Sequence, residues 1–410
     1  MNVALEFLPL VACALMGFQD PASFEEKQLG RIPDGVQVSG LCFERNGRAV
    51  AFVVQAGGRE AVVVRDGKGA EFDAIELLRF TPGGREVAYV ARRGSRRVAV
   101  IGDDTGPEFD KIPVLGFSPD GLVSYYLAQE GSKWHAVVDG RKSEGYEYAW
   151  PIDFLRGKKA VVYRAVREQG KVLVVVGEER GEEFEEISGP ALSPDGNHVA
   201  YAAARGGKWR LIVDGRVEKN LDGAVEDVAY GPSGTLAYVE LRKEKSVLVS
   251  GGRKSEPFDS ISQFIFSPDG SRLAFIGYQG EMEYVVVDGR KVGKLPGGGF
   301  EVFAFSPDGK RTAFLQPLDF AKSPKDCLVV DGRQGKAFDA ISLGPVFSPD
   351  GKAVAIGVQE KGTCLVVVGE KRSEGFDRIE APLIFSPDGK KVAFGARKGL
   401  ELWWKVMRTE

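Results

Sequence analysis

Two hydrophobic rhythms alternate along this chain. One is a short stretch of β-branched and aromatic residues with alternating exposure, as in residues 197–201 (NHVAY) and 390–394 (KKVAF). The other is a continuous apolar run, as in residues 284–287 (YVVV) and 365–368 (LVVV), which suits a strand buried on both faces. Turn residues punctuate both. Ser-Pro-Asp-Gly precedes the first kind: proline sets φ, aspartate tolerates the next position, and glycine takes the left-handed one. Asp-Gly follows the second kind and predicts a tight hairpin. A strand ending in LIFSPDG, the alternating strand, a variable polar loop, the apolar strand and a last strand such as KAFDAI or GPEFDKI make one four-stranded unit. No stretch carries a helical period.

The unit recurs ten times. Its turn glycines are Gly47, Gly84, Gly121, Gly157, Gly196, Gly234, Gly270, Gly309, Gly351 and Gly389, at steps of 36 to 42 residues. Six copies read SPDG; the others are the worn forms ERNG, TPGG, LRG and GPSG. A four-stranded antiparallel sheet repeated at this period predicts an all-β propeller of about ten blades. The phrase FSPDGKKVAF followed by an apolar strand resembles the WD-like repeat of TolB-type β-propellers, over residues 37–406. That resemblance implies that the loop between the second and third strands shares a face with the loop entering each first strand. It does not imply one activity, because such folds serve scaffolds and enzymes alike.

The last unit stops after its third strand (ELWWKVM). The N-terminal segment EEKQLGRI matches a fourth strand, with Leu29 and Ile32 where Phe376 and Ile379 fall in GFDRI. The expectation is that residues near Glu25 to Ile32 complete the last blade and remove an exposed edge. Without a linker between Ala224 and Val228, one ring is favoured over two five-bladed rings.

Composition narrows the function. The chain has 410 residues, 43% of them hydrophobic, and a net charge of −3, which argues against a general nucleic-acid binder. Four cysteines without a CxxC or Cys/His cluster predict no metal site, and no cofactor motif occurs. Cys327 and Cys364 occupy equivalent repeat positions, too far apart for a disulfide, and are expected to be free and half-buried. Residues 1–20 resemble a secretory signal, with Ala12-Cys13-Ala14 as a cleavage site and residues 10–13 as a lipoprotein box in which Cys13 carries the anchor. Glu6 and the lack of an early basic residue speak against export. The expected setting is the bacterial periplasm or the exterior, with the cytoplasm as the alternative. Residues 21–410 then form the propeller, expected to be a monomer that meets a membrane only through that leader.

Because the repeated phrases are turn and core chemistry, function must lie where the copies differ. The second-to-third-strand loops of units two to six carry Arg92, Arg93, Arg96, Arg97, Lys133, Arg167, Lys171, Arg205, Lys208, Arg242, Lys243 and Lys245, against Glu130, Glu168 and Glu244. These twelve cations form a candidate docking arc for an anionic partner, with Trp134 and Trp209 as stacking anchors. The insertion at residues 316–326 is a candidate contact loop. No GxSxG, HExxH or phosphate loop is present. His198 reads as structural, and His135 is a candidate polar group near the arc. The expected function is a non-enzymatic module docking a protein, peptide or anionic polysaccharide on the looped face. The alternative is a hydrolase or lyase using carboxylates near the channel, with Asp153, Glu226, Asp227 and Glu301 placed just before first strands.

Overall fold

The computed structural model describes residues 24–65, 67–156, 159–296, 299, 301–318 and 325–410. The leader, Gly157 and the centre of the 316–326 insertion lie outside them. The chain forms ten four-stranded antiparallel sheets arranged as the blades of one propeller ring, with 66% of residues in strands.

Each blade runs outward in chain order. Blade 1 comprises Gln37–Phe43, Val50–Ala56, Arg59–Val64 and Gly67–Phe72. Blade 10 comprises Arg378–Phe385, Lys391–Lys398 and Glu401–Arg408, and its outer strand is Lys27–Arg31 from the other end of the chain. The expected closure therefore holds. Trp404 and Leu402 of the last strand share a core with Ile32, Phe43, Phe52 and Val54. A Cβ at Gly47 would lie 2.3 Å from the Trp404 ring, so the first turn and the last strand are in direct contact.

The fourth strand is shorter than its expected extent. It ends at the phenylalanine of the Phe-Asp-x-Ile phrase, as in Arg333–Phe338, or survives only as a two-residue strand such as Arg141–Lys142 with a bridge further on. The isoleucine already belongs to the next blade's inner strand, as in Ala340–Phe347. One aspartate turns the corner between blades. The phenylalanines pack edge-on against the second strand of the following blade: Phe72 on Tyr89, Phe109 on Tyr126, Phe184 on Tyr201, Phe258 on Phe275 and Phe376 on Phe394. Such pairs bury large apolar rings between sheets and fix their spacing.

The SPDG turn carries more than backbone geometry. Its buried serine donates to the turn aspartate, at 2.5 Å for Ser267 to Asp269 and 2.6 Å for Ser306 to Asp308, and accepts the amide of the residue five positions on. Arg272 then donates to the Gly309 and Lys310 carbonyls of the next blade's turn, and Arg311 to those of Gly351 and Lys352. The same arginines pair with Asp288 and Asp331, the hairpin aspartates held at φ of 51° before a glycine. His198 takes the equivalent place and pairs with Asp214, as its structural reading expects.

Cys42, Cys327 and Cys364 are free thiols. Cys327 is fully buried rather than half-buried, because its strand is sandwiched between sheets in a core with Phe305 and Phe314.

Candidate functional site

The inner strands set the geometry of the central region. In all ten blades the pairing of the first and second strands slips, as between Pro151 and Asp153, Val225 and Asp227, and Glu380 and Ile384. A bulge re-aims side chains and sharpens the local twist. Asp153, Glu226 and Asp227 therefore lie within inner strands, Tyr148–Leu155 and Ala224–Tyr230, not ahead of them. Glu301 likewise opens the inner strand Glu301–Phe305. The reason for the first two strands is a short corner: Tyr148–Leu155 begins directly after Tyr146-Glu147, and Ala224–Tyr230 after Leu221-Asp222-Gly223.

The candidate cations occupy hairpins of adjacent blades, but most of them meet carboxylates, nearly all of which a loop-by-loop count omits. Arg93 lies 3.3 Å from Glu108, Arg96 2.7 Å from Asp110, and Arg97 3.3 Å from Glu76. Lys133 faces Glu168 and Arg167 faces Glu183. Lys171 is 4.0 Å from Glu185, Arg205 is 3.0 Å from Glu182, and Lys245 pairs with Asp259. Arg242 binds both Asp222 and the buried Glu240. Arg92 donates to the Asp73 carbonyl. Lys208 and Lys243 have no ion-pair partner among the described residues.

Several of these pairs are one repeated device. The corner carboxylate takes a cation from its own blade's hairpin and an amide from the next blade's hairpin. Asp110 joins Arg96 to the Gly131 N–H, Asp259 joins Lys245 to the Gly280 N–H, and Glu185 joins Lys171 to the Gly206 N–H. The Gly131 amide, then Arg96, hold the Asp110 carboxyl below its usual range.

Trp134 and Trp209 are both buried in inter-blade cores. Trp134 nevertheless supports an exposed strip that breaks the repeat pattern. Its ring centroid lies 5.2 Å from that of Tyr148, which lies 4.1 Å from Trp150. Tyr148 and Trp150 are 37% and 36% exposed, unlike the great majority of large apolar side chains. The Arg164 guanidinium stacks 4.3 Å over Trp150 while donating to the Ile187 carbonyl of blade 5. Tyr148 pairs with Val166, next to the Arg167 hairpin, so the strip lies on the face of the basic loops. The sequence signal was the run YAW, which matches no other unit.

His135 is buried and its Nδ1 lies 2.9 Å from the Ser143 carbonyl, a structural contact. Burial pushes the carboxyls of Asp153, Asp227 and Glu380 up. They stand on blades 4, 6 and 10, and the amides of Phe154 and Val228 hold the two aspartates in one orientation. No group of three or more metal-ligating side chains occurs among the described residues.

No protein-family model matches the chain, and no curated protein matches it. Among solved structures, a eukaryotic initiation factor is similar over 78% of this chain and 91% of that one, at 11% identity and a TM-score of 0.47. The Dos1 propeller is similar over 94% of each chain, at 11% identity and a TM-score of 0.35. The β-propeller domain of the Trilobed protease from Pyrococcus furiosus is similar over 64% of this chain and 96% of that one, at 11% identity and a TM-score of 0.32.

Proposed function

We propose that this propeller is a non-enzymatic interaction module that docks a protein, peptide or anionic polysaccharide on the face carrying the second-to-third-strand hairpins. One observation carries the reading: Tyr148 and Trp150 are exposed and in tilted ring contact there, with Trp134 against Tyr148 and Arg164 over Trp150. Rigid aromatic side chains already ordered in the free protein bind at low entropic cost, and such residues dominate binding hot spots. The paired cations form a charged rim around this anchor, and Lys208 and Lys243 are the rim positions open to an anion.

The leader expectation places the partner in the cell envelope, so the test starts from envelope extract. The full chain and a Tyr148→Ala/Trp150→Ala variant serve as baits at low and high salt. The expected result is a partner retained by the first bait, lost by the second, and rebinding as a purified component. Equal retention by both baits contradicts the reading. The hydrolase or lyase alternative rests on the raised carboxyls of Asp153, Asp227 and Glu380, and glycan cleavage abolished by Asp153→Asn or Asp227→Asn would favour it.

A further inference from the structure

The inner strands across blades 4 to 6 combine aromatic rings with carboxylates that form no ion pair among the described residues. Asp153 and Asp227 sit at the same register, each directly after its strand's bulge, and each Oδ1 accepts the next residue's amide at 2.7 and 2.8 Å. Water reaches both side chains, yet neither has an ion-pair partner among the described residues. Burial by the surrounding protein, only partly offset by the Phe154 amide and Arg156, raises the Asp153 carboxyl; burial likewise raises that of Asp227. Between them, blade 5 offers the small residues Ser188, Gly189, Pro190 and Ala191 across its own bulge. The Ser188 hydroxyl is buried without a hydrogen-bond partner.

We propose that this region binds a basic peptide segment of a partner protein, with lysine or arginine side chains directed to Asp153 and Asp227 and apolar side-chain surface laid on Tyr148 and Trp150. The inference rests on the docking reading and names the chemistry of the docked segment. Charge decides the class. The aromatic pair alone suits a sugar or a peptide, but two inner-strand carboxylates without an ion-pair partner, set inward of the Lys208 and Lys243 hairpins, favour a cation over an acidic glycan at their own depth. The Trp150 ring already accepts one guanidinium, that of Arg164, which shows that its face suits such groups. Size decides between a segment and a small amine. Asp153 lies three residue steps along the strand from Trp150, at most about 10 Å, and Asp227 lies two blades away, so one side chain does not serve all of them.

The test uses the full chain with amidated hexa-arginine, hexa-glutamate and heparin as probes, read by calorimetry and tryptophan fluorescence at low salt. Hexa-arginine is expected to bind and hexa-glutamate is not. Asp153→Asn/Asp227→Asn should weaken hexa-arginine by about tenfold or more, a change of about 1.4 kcal/mol per decade. Asparagine keeps the Oδ1 acceptor for Phe154 and Val228, so melting temperature should hold. Trp150→Leu should abolish the fluorescence change. Undiminished hexa-arginine binding by the double variant, no binding at all, or preference for hexa-glutamate or heparin overturns the inference. Extract capture that persists while hexa-arginine fails leaves the docking reading standing; failure of both removes both.

Discussion

Lys405 in the last strand donates to Glu26 at 2.6 Å, across 379 positions of sequence, and pairs with Glu374 at 2.9 Å. This contact ties the N-terminal outer strand to the blade that the C-terminus builds. Lys405 is only 12% exposed and its ammonium also lies over the Trp403 and Phe376 rings.

Ring closure should therefore dominate stability. Trp404 is fully buried where the first and last blades meet. Trp404→Ala should cost about 3–5 kcal/mol, the range for large buried aromatics, and lower the denaturant midpoint. Deleting residues 24–32 should leave the edge of Glu401–Arg408 unpaired and produce concentration-dependent association, measured by light scattering. An unchanged midpoint for Trp404→Ala would place the closure elsewhere.

The SPDG turns should set the acid limit of the fold. Hydrogen bonds from Ser193, Ser267 and Ser348 hold Asp195, Asp269 and Asp350 down to about 2. A carboxyl depressed on folding stabilises the native state above its unfolded pKa, about 4, and that contribution disappears as pH falls toward about 2. Stability should hold from neutral pH to about 4 and then drop as these turns protonate. Ser267→Ala should move the start of acid unfolding to higher pH, followed by circular dichroism.

The propeller, its ten units and its closing strand were legible because they follow from repetition: a turn, an alternating strand and a buried strand recur wherever the backbone needs them. Ser267 and Ser306 look like plain members of a turn phrase, yet their hydroxyls organise the loop, a role that spacing alone does not reveal. The Phe-Asp corner reads as the inside of a strand because apolar residues flank its aspartate on both sides; the partners that turn it, such as Arg96 and the Gly131 amide, come from two different blades. The same distance in sequence hid the neutralising acids of the basic arc. Tyr148 and Trp150 stay hidden for the opposite reason: they occur once, and repetition points only to what recurs.

Glu240 is a sharper test of the hairpin face. It is fully buried, accepts the Asp222 and Gly223 amides at 2.8 and 3.0 Å, and pairs with Arg242 at 2.7 Å. Glu240→Ala would leave two amides without their acceptor and Arg242 with Asp222 alone, and should cost about 1–3 kcal/mol. Glu240→Gln keeps acceptor capacity and should cost less. Equal loss in both would assign the stabilisation to the ion pair with Arg242 rather than to the amides.

The cations of the face should separate into two groups by measurement. Arg96 and Lys245 bridge to corner aspartates that also hold the next blade's hairpin, so Arg96→Ser and Lys245→Ser should lower melting temperature, because each loosens a link between blades. Lys208 and Lys243 make no ion pair among the described residues, so Lys208→Ser/Lys243→Ser should leave melting temperature within about 1 °C of the parent, as for surface changes worth under about 0.5 kcal/mol. If an anion docks on the rim, the second pair should weaken it and flatten its salt dependence, since exposed charges act over about one Debye length, roughly 8 Å at physiological salt. The first pair should weaken it only in proportion to lost folding. The reverse pattern would mean that the inter-blade bridges open on binding, and would make the corner aspartates part of the docking surface.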